Sequence, residues 1–75
     1  MTSQRAQHDR DVVAAFGARE LSRAGELTTY VVRCLDATMA RDVRASLAAA
    51  GVHVPEDQNK DGNTYVIAYV YERSE

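Results

Sequence analysis

The sequence predicts an α+β fold in two layers: a small, mostly antiparallel sheet of two or three strands, packed by one central helix and joined by an N-terminal helix. Residues 27–35 and 64–72 are rich in β-branched and aromatic side chains, which favour strands. Between them, apolar residues of segment 37–50 recur at helical spacing. A chain of 75 residues forms one small domain, 1–75, in which we expect residues 1–6 to be disordered.

The N-terminal segment, residues 7–24, allows two interpretations. Its apolar residues are sparse, and Gly25 stands where the glycine that ends a helix belongs, so a helix is favoured. The alternative is a strand over residues 12–21 that turns at Gly25 into the next strand. Phe16, the only phenylalanine, is a predicted core anchor in either case.

The next two segments are the predicted central strand and helix. Neither face of segment 27–35 is clearly polar, which is typical of a central strand or one covered on both sides. Asp36 or Thr38 supplies an N-cap for the helix, and Gly51 ends it. The helix places an apolar stripe on one side, formed by Met39, Ala40, Val43, Leu47 and Ala50.

The C-terminal part combines a loop with a strand of two unlike faces. Val52 and Val54 predict a short strand that stops at Pro55, and residues 56–63 form a polar loop. Alternation along segment 64–72 puts Val66, Ala68 and Val70 on one face, which suits packing on Met39, Val43 and Leu47. The other face, the Tyr stripe, carries Tyr65, Ile67, Tyr69 and Tyr71.

The Tyr stripe, together with Tyr30, is the predicted partner or dimer interface. Tyrosine rings suit a boundary where the ring is buried and the hydroxyl stays near water or a partner. Three occupants are open: the N-terminal helix, a second copy of the chain, or another protein. The first would use apolar residues Val12, Val13, Phe16 and Leu21.

Composition limits the classes of function. The net charge of −2 argues against direct nucleic-acid binding, and no apolar run approaches the ~20 residues of a membrane span. Cys34 is the single cysteine, and the N-terminus lacks the apolar region of a secretory signal, so a bacterial cytoplasm is the expected location. Small domains without disulfides often gain stability by oligomerisation, which makes a homodimer a natural expectation.

Three groups of residues are candidate chemical sites. Residues 57–62 resemble the opening of EF-hand and dockerin calcium loops, but Ala68 occupies the position of the final acidic ligand, so a solvated loop without metal or cofactor is favoured. Cys34, with His53 or His8, matches no zinc spacing, and a buried thiol is favoured over a nucleophile, so no enzyme is expected. A basic patch of Arg33, Arg41 and Arg44 is less favoured than a salt-bridged helix face.

Two resemblances suggest functions. The order of elements resembles half of a ferredoxin-like sandwich, as in small regulatory modules of the ACT type; this implies a homodimeric small-molecule or ion sensor. In size and character, the short, mildly acidic chain resembles inhibitory proteins of phages and mobile elements, notably anti-CRISPR proteins. That resemblance implies a protein partner, a subunit of a CRISPR surveillance complex. Its basic nucleic-acid-binding surface would be blocked by an acidic loop of Glu56, Asp57 and Asp61.

Overall fold

The computed structural model describes residues 4–72, and within that range it contains two helices and a three-stranded antiparallel sheet. The strand order is β1-β2-β3, so β2 is central, and the predicted α+β fold is confirmed. A single turn of 3-10 helix, Glu56–Gln58, precedes the last strand. The elements in chain order are α1 Gln4–Ala15, β1 Arg19–Ala24, β2 Leu27–Arg33, α2 Ala37–Ala49 and β3 Tyr65–Tyr71.

The N-terminal segment is divided between a helix and a strand, so the prediction of one helix over residues 7–24 is wrong for its second half. Gly17 has a positive φ of 77°, which ends α1 because side-chain-bearing residues rarely adopt that conformation. A turn at Gly25 then joins β1 to β2, as the alternative interpretation expected. Of residues 1–6, residues 4–6 belong to α1, whereas residues 1–3 lie outside the described part.

The ladder between β2 and β3 organises the sheet. It runs over the full length of both strands, from Leu27 opposite Tyr71 to Arg33 opposite Tyr65. The predicted short strand at 52–54 is reduced to one isolated bridge between His53 and Tyr69, because Pro55 follows directly. In a βαβ unit of the ferredoxin-like type the strands flanking the helix are parallel. Here His53, which follows α2, bridges antiparallel to β3, and β3 is antiparallel to β2, so this part of the chain runs parallel to β2. The second strand of such a unit is present only as that single bridge.

Both helices pack on the same face of the sheet. Val43 and Leu47 of α2 and Val13 of α1 form one core with Val66 and Ala68, which confirms the predicted packing of this face of β3. The prediction that Phe16 and Met39 are core residues is wrong, because Phe16 is 38% exposed and Met39 is 42% exposed. Phe16 lies in the turn after α1. At α2 the small, fully buried Ala40 lets the helix approach the sheet and leaves Met39 at the rim.

Asp36 caps α2, as predicted: its Oδ1 accepts a hydrogen bond of 2.8 Å from the backbone N–H of Met39. Asp36→Ala is expected to reduce the free energy of unfolding by about 0.5–2 kcal/mol, because one N–H at the helix start loses its acceptor. Asp36→Asn keeps an acceptor oxygen and should stay close to wild type. Urea unfolding followed by circular dichroism measures both, and equal losses in the two variants would contradict the capping role.

Candidate interaction surface

The sheet face opposite the helices carries the candidate site. Neither α1 nor α2 packs over it, because both helices contribute to the core on the other side of the sheet. The expectation that the N-terminal helix covers the Tyr stripe is therefore wrong. We call this surface the open face. Strand alternation and register place on it Arg19, Leu21, Ser22 and Ala24 of β1, Leu27, Thr29, Val31 and Arg33 of β2, and Tyr65, Ile67, Tyr69 and Tyr71 of β3.

The open face has a buried centre and a partly exposed rim. Ile67 is only 6% exposed, whereas the Tyr65 and Tyr71 side chains are exposed and Tyr69 is half-buried. Tyr30 does not belong to this surface: it lies opposite Ala68 on the helix side of the sheet and packs against the core. Tyr30 and the four residues of β3 therefore lie on opposite faces of the sheet.

A β-bulge adds a residue that the sequence did not assign to this surface. The register of β1 against β2 shifts between Glu20 and Ser22, and the extra residue is Leu21. Its side chain is 60% exposed and lines the open face together with Val31. Bulges re-aim side chains near functional surfaces, and this one contributes an exposed leucine beside the tyrosines.

Two shallow grooves mark one end of the open face. The larger has a volume of about 590 Å³ and the smaller about 480 Å³, and they share the side chains of Leu21, Val31 and Arg33. The larger groove is completed by Cys34, Gln58, Thr64, Tyr65 and Ile67, and the smaller by Gly17, Arg19 and Glu20.

His53 extends the other end of the open face. Its ring lies against Tyr69 and Tyr71, with ring centroids 5.6 and 6.1 Å apart. Its backbone oxygen accepts a 2.9 Å hydrogen bond from the N–H of Tyr69, which holds the ring beside β3. His53 is exposed, and aromatic side chains thus follow most of the length of β3.

The outer edge of β3 is covered at Tyr69 by the backbone of His53 and at Ile67 by the side chain of Asn59, which we call the Asn59 clamp. Asn59 Oδ1 accepts a 2.8 Å hydrogen bond from the N–H of Ile67, and its Nδ2 donates a 2.9 Å bond to the oxygen of the same residue. A further bond of 2.6 Å to the Pro55 oxygen fixes the amide. The clamp imitates a neighbouring strand, so a partner strand cannot pair at this position of β3.

The loop that resembles a calcium site does not bring its ligands together. The Asn59 amide is turned into the sheet edge, and Asp61 is bound to Arg41 at 2.9 Å. That hydrogen bond is the main cause of a lowered pKa of the Asp61 carboxyl. Within residues 4–72 no group of three potential metal-binding side chains is present. Of the predicted acidic loop, Glu56 and Asp57 are exposed without a basic partner, whereas Asp61 is neutralised.

The three arginines of the considered basic patch are separated. Arg41 pairs with Asp61, and Arg44 donates hydrogen bonds of 2.7 and 3.2 Å to the oxygens of Asn59 and Lys60. Arg33 lies on the open face instead. The salt-bridged interpretation is confirmed for Arg41, with Asp61 rather than a helix carboxylate as its partner.

Cys34 and His53 lie at different ends of β3. The backbone N–H of Cys34 bonds to Thr64, whereas His53 bridges to Tyr69, five residues further along. Five residues of strand span about 17 Å, so the two side chains do not form a catalytic pair.

The Cys34 thiol is expected to react slowly with iodoacetamide. Burial raises its pKa, the negative charge of Asp36 acts in the same direction, and Arg44 opposes them. A raised pKa leaves less thiolate near neutral pH, so alkylation of the folded protein should be slower than that of the urea-unfolded chain. Asp36→Asn keeps the helix cap and removes the charge, and it should accelerate alkylation. Mass spectrometry of timed samples measures the rates; folded protein that reacts as fast as the unfolded chain would contradict this expectation.

No family model, curated protein or solved structure matches this chain. Neither helix found among residues 4–72 has the length and apolar character needed to cross a membrane.

Proposed function

We propose that this protein is a non-enzymatic binding module that docks on another protein through the open face and inhibits it by covering its surface. The observation that supports this is a sheet face with exposed Tyr65 and Tyr71 around a buried Ile67, over which neither helix packs. Tyrosine is enriched among the residues that dominate binding energy at protein interfaces. An uncovered patch of this kind is typical of an interaction site.

The mode of docking is a contact between surfaces rather than strand addition at β3. The Asn59 clamp occupies both backbone groups of Ile67, so a partner would approach the flat of the sheet. The tyrosine rings stand on a rigid β2-β3 ladder, so little conformational entropy is lost when they are immobilised by a partner. A preorganised aromatic surface suits an inhibitor that works without chemistry.

A finer form of the proposal names the class of partner. The resemblance to anti-CRISPR proteins suggests a subunit of a nucleic-acid-targeting complex. The exposed carboxylates of Glu56 and Asp57 support contact with a basic surface, and the pairing of Asp61 with Arg41 limits that contribution to two charges. The open face therefore carries most of the proposed interface, with the acidic loop at its margin.

The proposal is tested by photo-cross-linking in the cells that carry the gene. A benzophenone amino acid replaces Tyr71 on the open face or, as a matched control, Met39 on the helix side; both side chains are partly exposed. We expect one discrete cross-linked protein from position 71 and none from position 39. The purified partner should then lose activity on addition of the wild-type chain.

Affinity for that partner gives a second measurement. Tyr71→Arg should weaken binding by about 30-fold, as expected for an interface tyrosine worth ~2 kcal/mol. Equal cross-linking from positions 71 and 39, or a partner whose activity does not change, would overturn the proposal. If position 71 cross-links only to a second copy of this chain, the open face is a homodimer interface and not an inhibitor's binding site.

A further inference from the structure

Two arginines lie together at one end of the open face. Arg19 stands opposite Val31, and Arg33 follows Val31 by two residues on the same face of β2. Diagonal neighbours of this kind lie about 7–8 Å apart between their Cα atoms, within reach of two long side chains. Both line the smaller groove, and Arg33 lines the larger one as well.

These two arginines differ from the other arginines in residues 4–72, because neither has an ion pair or hydrogen bond within that range. The nearby carboxylates are engaged elsewhere: Glu20 binds Arg23 at 3.1 Å, and Asp36 Oδ1 caps α2. Each of the others has a carboxylate or carbonyl partner, namely Arg5 with Asp9 and the Gly51 oxygen, Arg10 with Glu72, Arg23 with Glu20, Arg41 with Asp61, and Arg44 with the oxygens of Asn59 and Lys60.

The arrangement favours binding of an external anion. Two like charges as close neighbours on a sheet are destabilising, and a carboxylate placed between them relieves the repulsion. A guanidinium group binds carboxylates bidentately, which adds geometric selectivity. The charge at this end of the open face is therefore complementary to an acidic ligand.

Apolar side chains adjoin the arginines within the same grooves. Leu21 and Val31 line both grooves, and Tyr65 lines the larger one beside Arg33. A ligand that fits both features carries a carboxylate next to an apolar side chain. Acidic peptide segments in which aspartate or glutamate alternates with leucine or an aromatic residue have this chemistry.

We propose that this end of the open face binds an acidic segment of the partner protein, with its carboxylates on Arg19 and Arg33 and an apolar side chain in the groove beside Leu21 and Tyr65. This inference rests on the proposed function and specifies the chemistry of its partner. A protein segment is favoured over single-stranded nucleic acid, because nucleic-acid binding relies on many cationic contacts and this chain has a net charge of −2.

The probe is a random peptide library displayed on phage, selected on the immobilised wild-type protein. We expect the selected peptides to be enriched in aspartate or glutamate beside an apolar residue. A synthetic copy of one selected peptide, titrated into isotope-labelled protein, should shift the amide resonances of Leu21, Val31, Arg33 and Tyr65. The affinity of the Arg19→Gln/Arg33→Gln variant should fall about tenfold or more. Arg41→Gln, which removes an arginine that lines neither groove and is paired with Asp61, should leave it unchanged.

The other outcomes distinguish this inference from the proposed function. Peptides that bind the open face without acidic enrichment, or with no loss in the double variant, overturn the acidic-segment inference and leave the protein-binding function standing. Failure to select any peptide overturns the inference, while the cross-linking result decides the function separately. Peptides that shift only helix-side resonances overturn the inference as well. Tighter binding of oligothymidylate than of the peptide at the same residues assigns the site to nucleic acid instead.

Discussion

Leu47→Ala is expected to reduce the free energy of unfolding by about 2–5 kcal/mol, the range found when a buried leucine is truncated. Leu47 is fully buried between α2 and the sheet, in the same core as Val43 and Val66. The removed atoms leave a cavity that the two layers cannot fill by a small shift, because small side chains such as Ala40 already hold them close.

The size of this effect is large for so short a chain. At about 0.05–0.15 kcal/mol per residue, the whole domain has a stability of roughly 4–11 kcal/mol, so the variant approaches the unfolding threshold. Urea unfolding followed by circular dichroism gives the difference. Met39→Ala is the control in the same helix, and its partly exposed side chain should cost about 1 kcal/mol or less. Equal losses in the free energy of unfolding for the two variants would contradict the assignment of Leu47 to the core.

Asn59→Ala is expected to lower stability by about 2–4 kcal/mol, although the residue lies in a loop. The substitution removes three hydrogen bonds, two of them to the backbone of Ile67, and leaves partly buried donor and acceptor groups without partners. Asn59→Asp keeps the acceptor for the Ile67 N–H and loses the two donated bonds. It should therefore also be destabilised, because its carboxylate faces two carbonyl oxygens.

Amide hydrogen exchange separates the two variants. The Ile67 amide should exchange much faster in Asn59→Ala than in Asn59→Asp, since only the latter retains an oxygen in front of that N–H. Gln58→Ala, next to it in the loop and exposed, is the control and should change little. An unchanged exchange rate at Ile67 in Asn59→Ala would show that the clamp does not protect the edge of β3.

Local signals made part of the fold predictable. The sequence predicts α2 because the signals from Asp36, Gly51 and the spacing of Val43 and Leu47 act over a few residues, and it predicts β2 and β3 from their composition. The prediction of one helix over residues 7–24 is wrong in its second half because Gly17 ends the helix early and β1 is stabilised by pairing with β2. Pairing across a turn is a tertiary effect, and tertiary context overrides weak helix propensity.

The candidate surface was predicted only in part, for a similar reason. Alternation along β3 correctly grouped Tyr65, Ile67, Tyr69 and Tyr71, because period-two geometry is local. It could not show that α1 packs on the opposite side, nor that a bulge would add Leu21. Arg19 and Arg33 are distant in the sequence, and only the register between their strands brings them together.

The Asn59 clamp makes the two edges of the sheet different, and this limits how molecules of this protein can aggregate through backbone hydrogen bonds. Among residues 4–72, the backbone of β1 forms hydrogen bonds along the strand only with β2, so this side alone is open to another strand. Two molecules that joined through β1 would present a clamped β3 at each outer boundary. Fibrils require every subunit to offer two free edges, so such growth would stop at a pair. Asn59 thus opposes cross-β polymerisation of this protein.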